Sequence, residues 1–343
     1  MGASVLDILV GVFDILYSSM GILFHIIEIV ACLRLSRNYG GFRFIAHSSA
    51  ADALLLFQVG ICGGFVILSK TEITSPNHRI AINIFMNFTW WSSAYLSVLV
   101  TVSRMLCLCA SGAFTCLSTQ RNAHLICMLV WTFAFAQSYC VTLFPWYVVL
   151  YYNPHGYGVT GDWEKYSQDG TQLYFYIFNG LVIATNFLVY SIIMVVILKM
   201  NKRHTKVLVS VVSRAGITKD SDNAEPNQLT SNSAFHNRNV ERGLLASCFI
   251  MWIFDILGQF FINWTSFAGR LRDFFVVFFF MTKAWASTAT RLFLSSILRN
   301  EYMKLIPLMS WLPKKRLKQF TDELLYGLLR LLKQDVSHLR CAS

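Results

Sequence analysis

Apolar residues run almost without interruption through seven stretches of this chain, at about 10–33, 44–68, 82–109, 124–149, 173–198, 243–264 and 274–298, with short polar segments between most of them. An α-helix rises about 1.5 Å per residue, so roughly 20 residues cross a hydrocarbon layer about 30 Å thick, and each stretch reaches that length. Lipid offers a backbone no hydrogen-bond partner, so each stretch is predicted to be helical. A membrane β-barrel would instead need apolar and polar positions alternating in segments of about ten residues, and these runs do not alternate. The pattern therefore predicts an all-α membrane protein, a seven-transmembrane helix bundle formed by residues 1–300. Residues 301–343 then form a tail.

The segments between the runs set the orientation. Lysine and arginine are retained on the cytoplasmic side far more strongly than on the exported side. With the N-terminus outside and the C-terminus in the cytoplasm, 21 basic residues fall in inner segments and five in outer ones, and Arg104, Lys283 and Arg291 remain inside spans. The net charge of +11 reads first as this topology signal plus contact with anionic inner-leaflet lipid, and nucleic acid is not an expected partner. The inner segment 199–242 is rich in Ser, Thr, Asn and Asp and is predicted to be a flexible loop. In the tail, Leu317, Phe320, Leu324, Leu328 and Leu331 recur at helical spacing beside a basic face, which predicts an amphipathic helix, lying in the inner membrane interface or packed on the bundle. Composition agrees, with 55% hydrophobic and only 14% charged residues. The nine cysteines fall almost wholly in spans or on the inner side, and the first two outer loops have none.

Charged groups within spans are the next candidates, because an unpaired charge at mid-bilayer costs about 2.5–3.5 kcal/mol even on the lenient insertion scale. Asp52 in span two and Arg291 in span seven lie at similar depth from the inner face, and Asp255 in span six and Lys283 in span seven lie at similar depth from the outer face. Either pair reads as a structural ion pair or as a ligand contact or switch. His25 and Glu28 share a helix face, which suggests a polar contact with span two or span seven. Arg104 closes span three at the inner face, where its guanidinium either snorkels to water or bonds a neighbouring helix in one state and releases it in another. No phosphate loop, metal-ligand spacing or nucleophile elbow is present, so no enzyme activity, metal or cofactor is expected.

Seven spans with an arginine closing the third resemble a G-protein-coupled receptor, and several motifs resemble the nematode chemosensory receptors called serpentine receptor class x, over about residues 20–305. The stretches that carry the likeness are "FRFIAHSSAADALLLF" with its Asp52, "VTVSRMLCLC" with Ser103 in place of Asn before Arg104, Trp131 in span four, "NVERGLLASCF" with Glu241, and "FFFMTKAWAST" with Trp285. The chain departs from the wider receptor pattern in three ways. The second outer loop has no cysteine to hold it, span six has no proline near Trp252, and span seven closes with "ATRLF", which contains Arg291. The resemblance implies a plasma-membrane receptor for an unknown small-molecule or peptide ligand, coupled to a heterotrimeric G protein by helix rearrangement. It implies ligand contacts among Asn87, Trp90, Trp91, Tyr95, Asn179, Asp255, Gln259 and Lys283. It implies switch or coupling roles for Asp52, Ser103, Arg104, Arg121, Glu241 and Arg291. The alternatives are a transporter or channel that uses the buried acids as an ion path, and an opsin-like receptor with retinal on Lys283.

Overall fold

The computed structural model describes residues 3–73, 75, 78–215, 253–254, 256–257 and 269–305. Span one is α1 (Val5–Leu35), opened by Ser4, whose hydroxyl accepts from the Asp7 amide while the Asp7 carboxylate accepts from the Ser4 amide. Its buried stripe, Asp7, Gly11, Asp14, Ser18, Gly21, His25, Glu28, Cys32 and Leu35, repeats every three or four residues and is mostly polar or small, while Leu9, Leu16, Leu23 and Leu33 face outward. That is the reverse of a helix in water, and it suits lipid: tails take the apolar face, and small residues let helices approach.

Span two is α2 (Phe42–Leu56), a π-helical turn (Phe57–Cys62) and α3 (Gly63–Ser69). It meets span one through glycines. A Cβ on Gly64 would lie 2.7 Å from the Gly11 carbonyl oxygen, and one on Gly60 would lie 1.6 Å from the Ser18 hydroxyl. Span three is α4 (Arg79–Cys109), followed by the short α5 (Ser111–Leu117). Span four is α6 (Gln120–Thr142), and span five is α8 (Thr171–Ala215) after an outer β-hairpin and the short α7 (Trp163–Gln168). Span seven is α9 (Arg270–Leu294), and α10 (Ser296–Leu305) follows it. Span two packs on spans one and three, span three on spans four and five, and span seven on spans one and two.

Several boundaries differ from the hydropathy pattern. Span four ends at Thr142, not 149, because Pro145 disfavours helix at Phe144 and the apolar residues after it form a turn over the bundle. Span five continues as helix to Ala215, so the first part of the segment predicted as a flexible loop is helical. Span seven stops at Leu294, where Ser295 takes extended backbone before α10 begins. The run at 243–264 and the amphipathic tail at 317–331 lie outside the described residues, apart from the helical residues 253–254 and 256–257.

The loop between spans four and five is held without a disulfide, and none of the seven described cysteines forms one. Its hairpin pairs β1 (Tyr151–Tyr152) with β2 (Val159–Thr160), antiparallel, Tyr151 opposite Thr160. Tyrosines and backbone groups tie it to four spans. The Tyr152 hydroxyl donates to the Gln58 carbonyl in the π-helical turn (2.9 Å), Tyr157 donates to Asp7 (3.0 Å), Tyr147 donates to Asn87 (3.0 Å), the Leu150 amide donates to Asn83 (2.9 Å), and the Val148 amide donates to the Thr171 hydroxyl (3.1 Å). The Arg79 guanidinium covers the Tyr151 ring at 3.8 Å. Burial pushes the Tyr152 phenol well above its ordinary pKa, so it stays a donor.

Candidate functional site

Two features occupy the interior of the bundle, one above the other. The outer one is a cleft between spans two, three, five and seven, walled by Leu55, Ala94, Val182 and Ile183 and by the polar side chains of Trp90, Ser93, Asn179 and Lys283. Its cavity volume is about 20 Å³, far below that of a usual small-ligand site. A ligand of more than a few heavy atoms therefore requires the lining to part. Phe280 meets the Trp90 ring edge-on at 4.5 Å, and the Lys283 ammonium lies 6.0 Å over the same ring.

The inner feature is a charge cluster shared by four helices. Arg291 lies 3.4 Å from Asp52 and 3.4 Å from Glu28, and its guanidinium also donates to the Ser49 hydroxyl (3.0 Å) and the Ser287 carbonyl (2.9 Å). Asp52 accepts from Ser93 (2.7 Å) and Ser287 (2.8 Å). Glu28 accepts from Ser49 (2.7 Å) and Thr288, and Thr288 also bonds the His25 ring at 2.9 Å. All of these groups are buried, with His25 and Glu28 wholly so. Buried charges in lipid persist only when paired and hydrogen-bonded, and this cluster supplies both conditions. Span one contributes through the polar positions of its inward stripe, and span seven through the hydroxyls of Ser287 and Thr288 one turn before Arg291.

Ser93 joins the two features, because it lines the cleft and donates its proton to Asp52. A group that displaced Ser93 would change the hydrogen bonding of the carboxylate that faces Arg291.

Of the residues implied by resemblance as ligand contacts, Trp90, Asn179 and Lys283 line the cleft. Asn87 holds the outer loop through Tyr147, Trp91 is fully buried against Tyr174 and Phe178, and Tyr95 donates to Gln137, so these three sit in the packing between spans three, four and five. Asp255 and Gln259 lie outside the described residues, as does Glu241. Among the switch candidates, Asp52 and Arg291 meet, and Ser103 donates to the Val100 carbonyl of its own helix. Arg104 closes span three with its Nε enclosed and without a hydrogen bond among the described residues, and Arg121 is exposed at the start of span four. Trp131 donates to His47 of span two, and Trp285 to the Tyr17 carbonyl of span one. Ser49, Ser93, Ser287 and Thr288 were not singled out from the sequence. Serine and threonine are common in spans, and only their recurrence opposite charged positions distinguishes them.

The crystal structure of squid rhodopsin is similar to this chain, with a TM-score of 0.67 over 93% of this chain and 90% of that one at 13% identity, which establishes a shared seven-helix fold. No curated protein matches the sequence. The family model of the serpentine type 7TM GPCR chemoreceptor Srx matches residues 15–219, more than half of the chain. The protein is therefore a member of the Srx family of serpentine seven-transmembrane G-protein-coupled chemoreceptors.

Proposed function

We propose that this chemoreceptor resides in the plasma membrane with its N-terminus outside, binds a small ligand in the cleft walled by Trp90, Asn179 and Lys283, and passes that event to a heterotrimeric G protein at the inner ends of its spans. The single observation that carries the reading is the double role of Ser93, a cleft residue whose hydroxyl donates to Asp52 beside Arg291. Ligand binding shifts span three against spans two and seven, the Asp52–Arg291 cluster takes up a second arrangement, and the inner ends of the spans open. Arg104 and Arg121 border the coupling surface. A ligand acts only through its unequal affinity for the two arrangements, so the serine that differs between them controls efficacy more than affinity.

The transporter and opsin-like alternatives are not favoured, since the family is one of chemoreceptors. The test is agonist-dependent G-protein activation in a heterologous cell. Ser93→Ala should lower the maximal response at least threefold with little change in agonist affinity, and Arg104→Ala should abolish coupling at normal surface level. Wild-type coupling that persists unchanged in Arg104→Ala would overturn the role given to that arginine.

A further inference from the structure

The hairpin between spans four and five lies directly above the cleft. Tyr152 bonds span two at Gln58 and Tyr147 bonds span three at Asn87, and each of these partners is about one helical turn nearer the hairpin than the cleft residues Leu55 and Trp90. Near its base the hairpin is tied through neutral groups, Tyr147 to Asn87, the Val148 amide to Thr171 and the Leu150 amide to Asn83. At its tip the tie is ionic. Tyr157, only 2% exposed, donates to Oδ1 of Asp7, which also faces the Arg270 guanidinium at 3.8 Å. Oδ2 of the same carboxylate accepts from the Ser4 amide and lies 2.9 Å from the Lys70 ammonium. One carboxylate thereby joins the start of span one, the end of span two, the start of span seven and the hairpin tip. The tip is braced internally, with the Asn153 amide donating to the Gly158 carbonyl, the Gly156 amide to the Asn153 carbonyl and the His155 amide to the Asn153 side chain, so it moves as a unit. Lys70 closes span two at φ 54°, the left-handed region that favours glycine, so the backbone there does not itself call for a lysine. What the side chain supplies is the ammonium beside Asp7.

We infer that the hairpin is a hinged strap over the cleft, and that the Asp7 clasp at its tip governs how often it lifts to admit or release a ligand. The inference rests on the reading of this cleft as the ligand site and adds how that site is entered. A hydrogen bond to a charged acceptor is about twice as strong as one between neutral groups, so the tip bond is the costly one to break. Lys70 and Arg270 hold the carboxylate in place for Tyr157, so loss of either the phenol or the ammonium weakens the whole clasp. Once the tip is free, Tyr157 and Asp7 both reach water, the Tyr152 bond to the Gln58 carbonyl parts with it, and the strap pivots about the ties at Tyr147, Val148 and Leu150. Entry and exit cross the same barrier, so a weaker clasp speeds both and leaves affinity nearly unchanged.

The experiment uses the purified full chain in lipid nanodiscs, where both faces of the bundle meet solvent, with Ala94→Cys as a reporter in the cleft wall. Two thiol reagents are compared, methyl methanethiosulfonate and its 2-sulfonatoethyl analogue, whose charge keeps it out of lipid, and modification of residue 94 is followed by mass spectrometry of its peptide. Tyr157→Phe keeps the ring and removes the donor, and Lys70→Gly removes the ammonium while suiting the left-handed backbone. Each should speed modification by the charged reagent about tenfold and by the methyl reagent less than about threefold. Hydrogen exchange should rise at amides 155–160 and stay nearly unchanged at 147–150. If the tyrosine variant does not fold, the lysine variant carries the test. An unchanged rate with the charged reagent, which would place the entrance elsewhere, or equal acceleration of both reagents, which would mean general loosening, would each overturn the inference, as would exchange that rises along the whole loop. The readout needs neither agonist nor G protein. Faster modification in both variants with no change in the onset of an agonist response would uphold the strap and count against the cleft as the ligand site alone.

Discussion

Arg291 faces two carboxyl groups, Asp52 and Glu28, and each partner is stable in lipid only because of the others. Removing one member of a buried ion pair leaves an uncompensated charge and typically costs about 3–5 kcal/mol, whereas neutralising every member together is often close to neutral. Arg291→Met should therefore abolish surface expression, and adding Asp52→Asn and Glu28→Gln should recover much of it, as read by surface labelling. Equal loss in the single and triple variants would deny the cluster its mutual dependence. Asp14 is the opposite case, a fully buried acid on the same stripe whose carboxyl oxygens have no partner among the described residues. Nothing is lost by making it a neutral amide, so Asp14→Asn should raise thermal stability by about 1 kcal/mol. A drop in the unfolding temperature would point to a bound partner for that acid.

At the scale of the helices, hydropathy located the described spans but not their ends. Long apolar runs are legible because lipid demands them, and the Asp52–Arg291 depth match was legible because rise per residue converts sequence into depth. What the runs could not show was where apolar chain stops being helix: after Thr142 the residues remain greasy, yet they turn back over the bundle. Nor could they show which hydroxyls of spans two, three and seven meet the charges, since that depends on helix rotation. The contact of spans one and two offers a test between neighbours. Gly63 has open space where a Cβ would go, and Gly64 faces the Gly11 backbone oxygen at 2.7 Å. Gly63→Ala should be neutral or stabilise by up to about 1 kcal/mol, as helix propensity dictates. Gly64→Ala should lower the unfolding temperature of the purified protein, because backbone cannot give way as a flexible side chain can. Similar effects from the two substitutions would mean that spans one and two do not pack through these glycines.

Across the whole molecule, the proposed mechanism puts the ligand side and the coupling side at opposite ends of one bundle, bridged by Ser93, Asp52 and Arg291. The outer end is closed by tyrosines where a disulfide is missing, so treatment of intact cells with a membrane-impermeant reductant should leave ligand response unchanged, and a loss of response would reveal a disulfide there. All of this requires that the chain cross the bilayer an odd number of times, with its basic segments inside. Sidedness of epitope tags at the two ends, read by antibody on intact and then permeabilised cells, decides the matter. An N-terminal tag stained on intact cells with a C-terminal tag stained only after permeabilisation is the expected result; both tags on one side would contradict a receptor built this way.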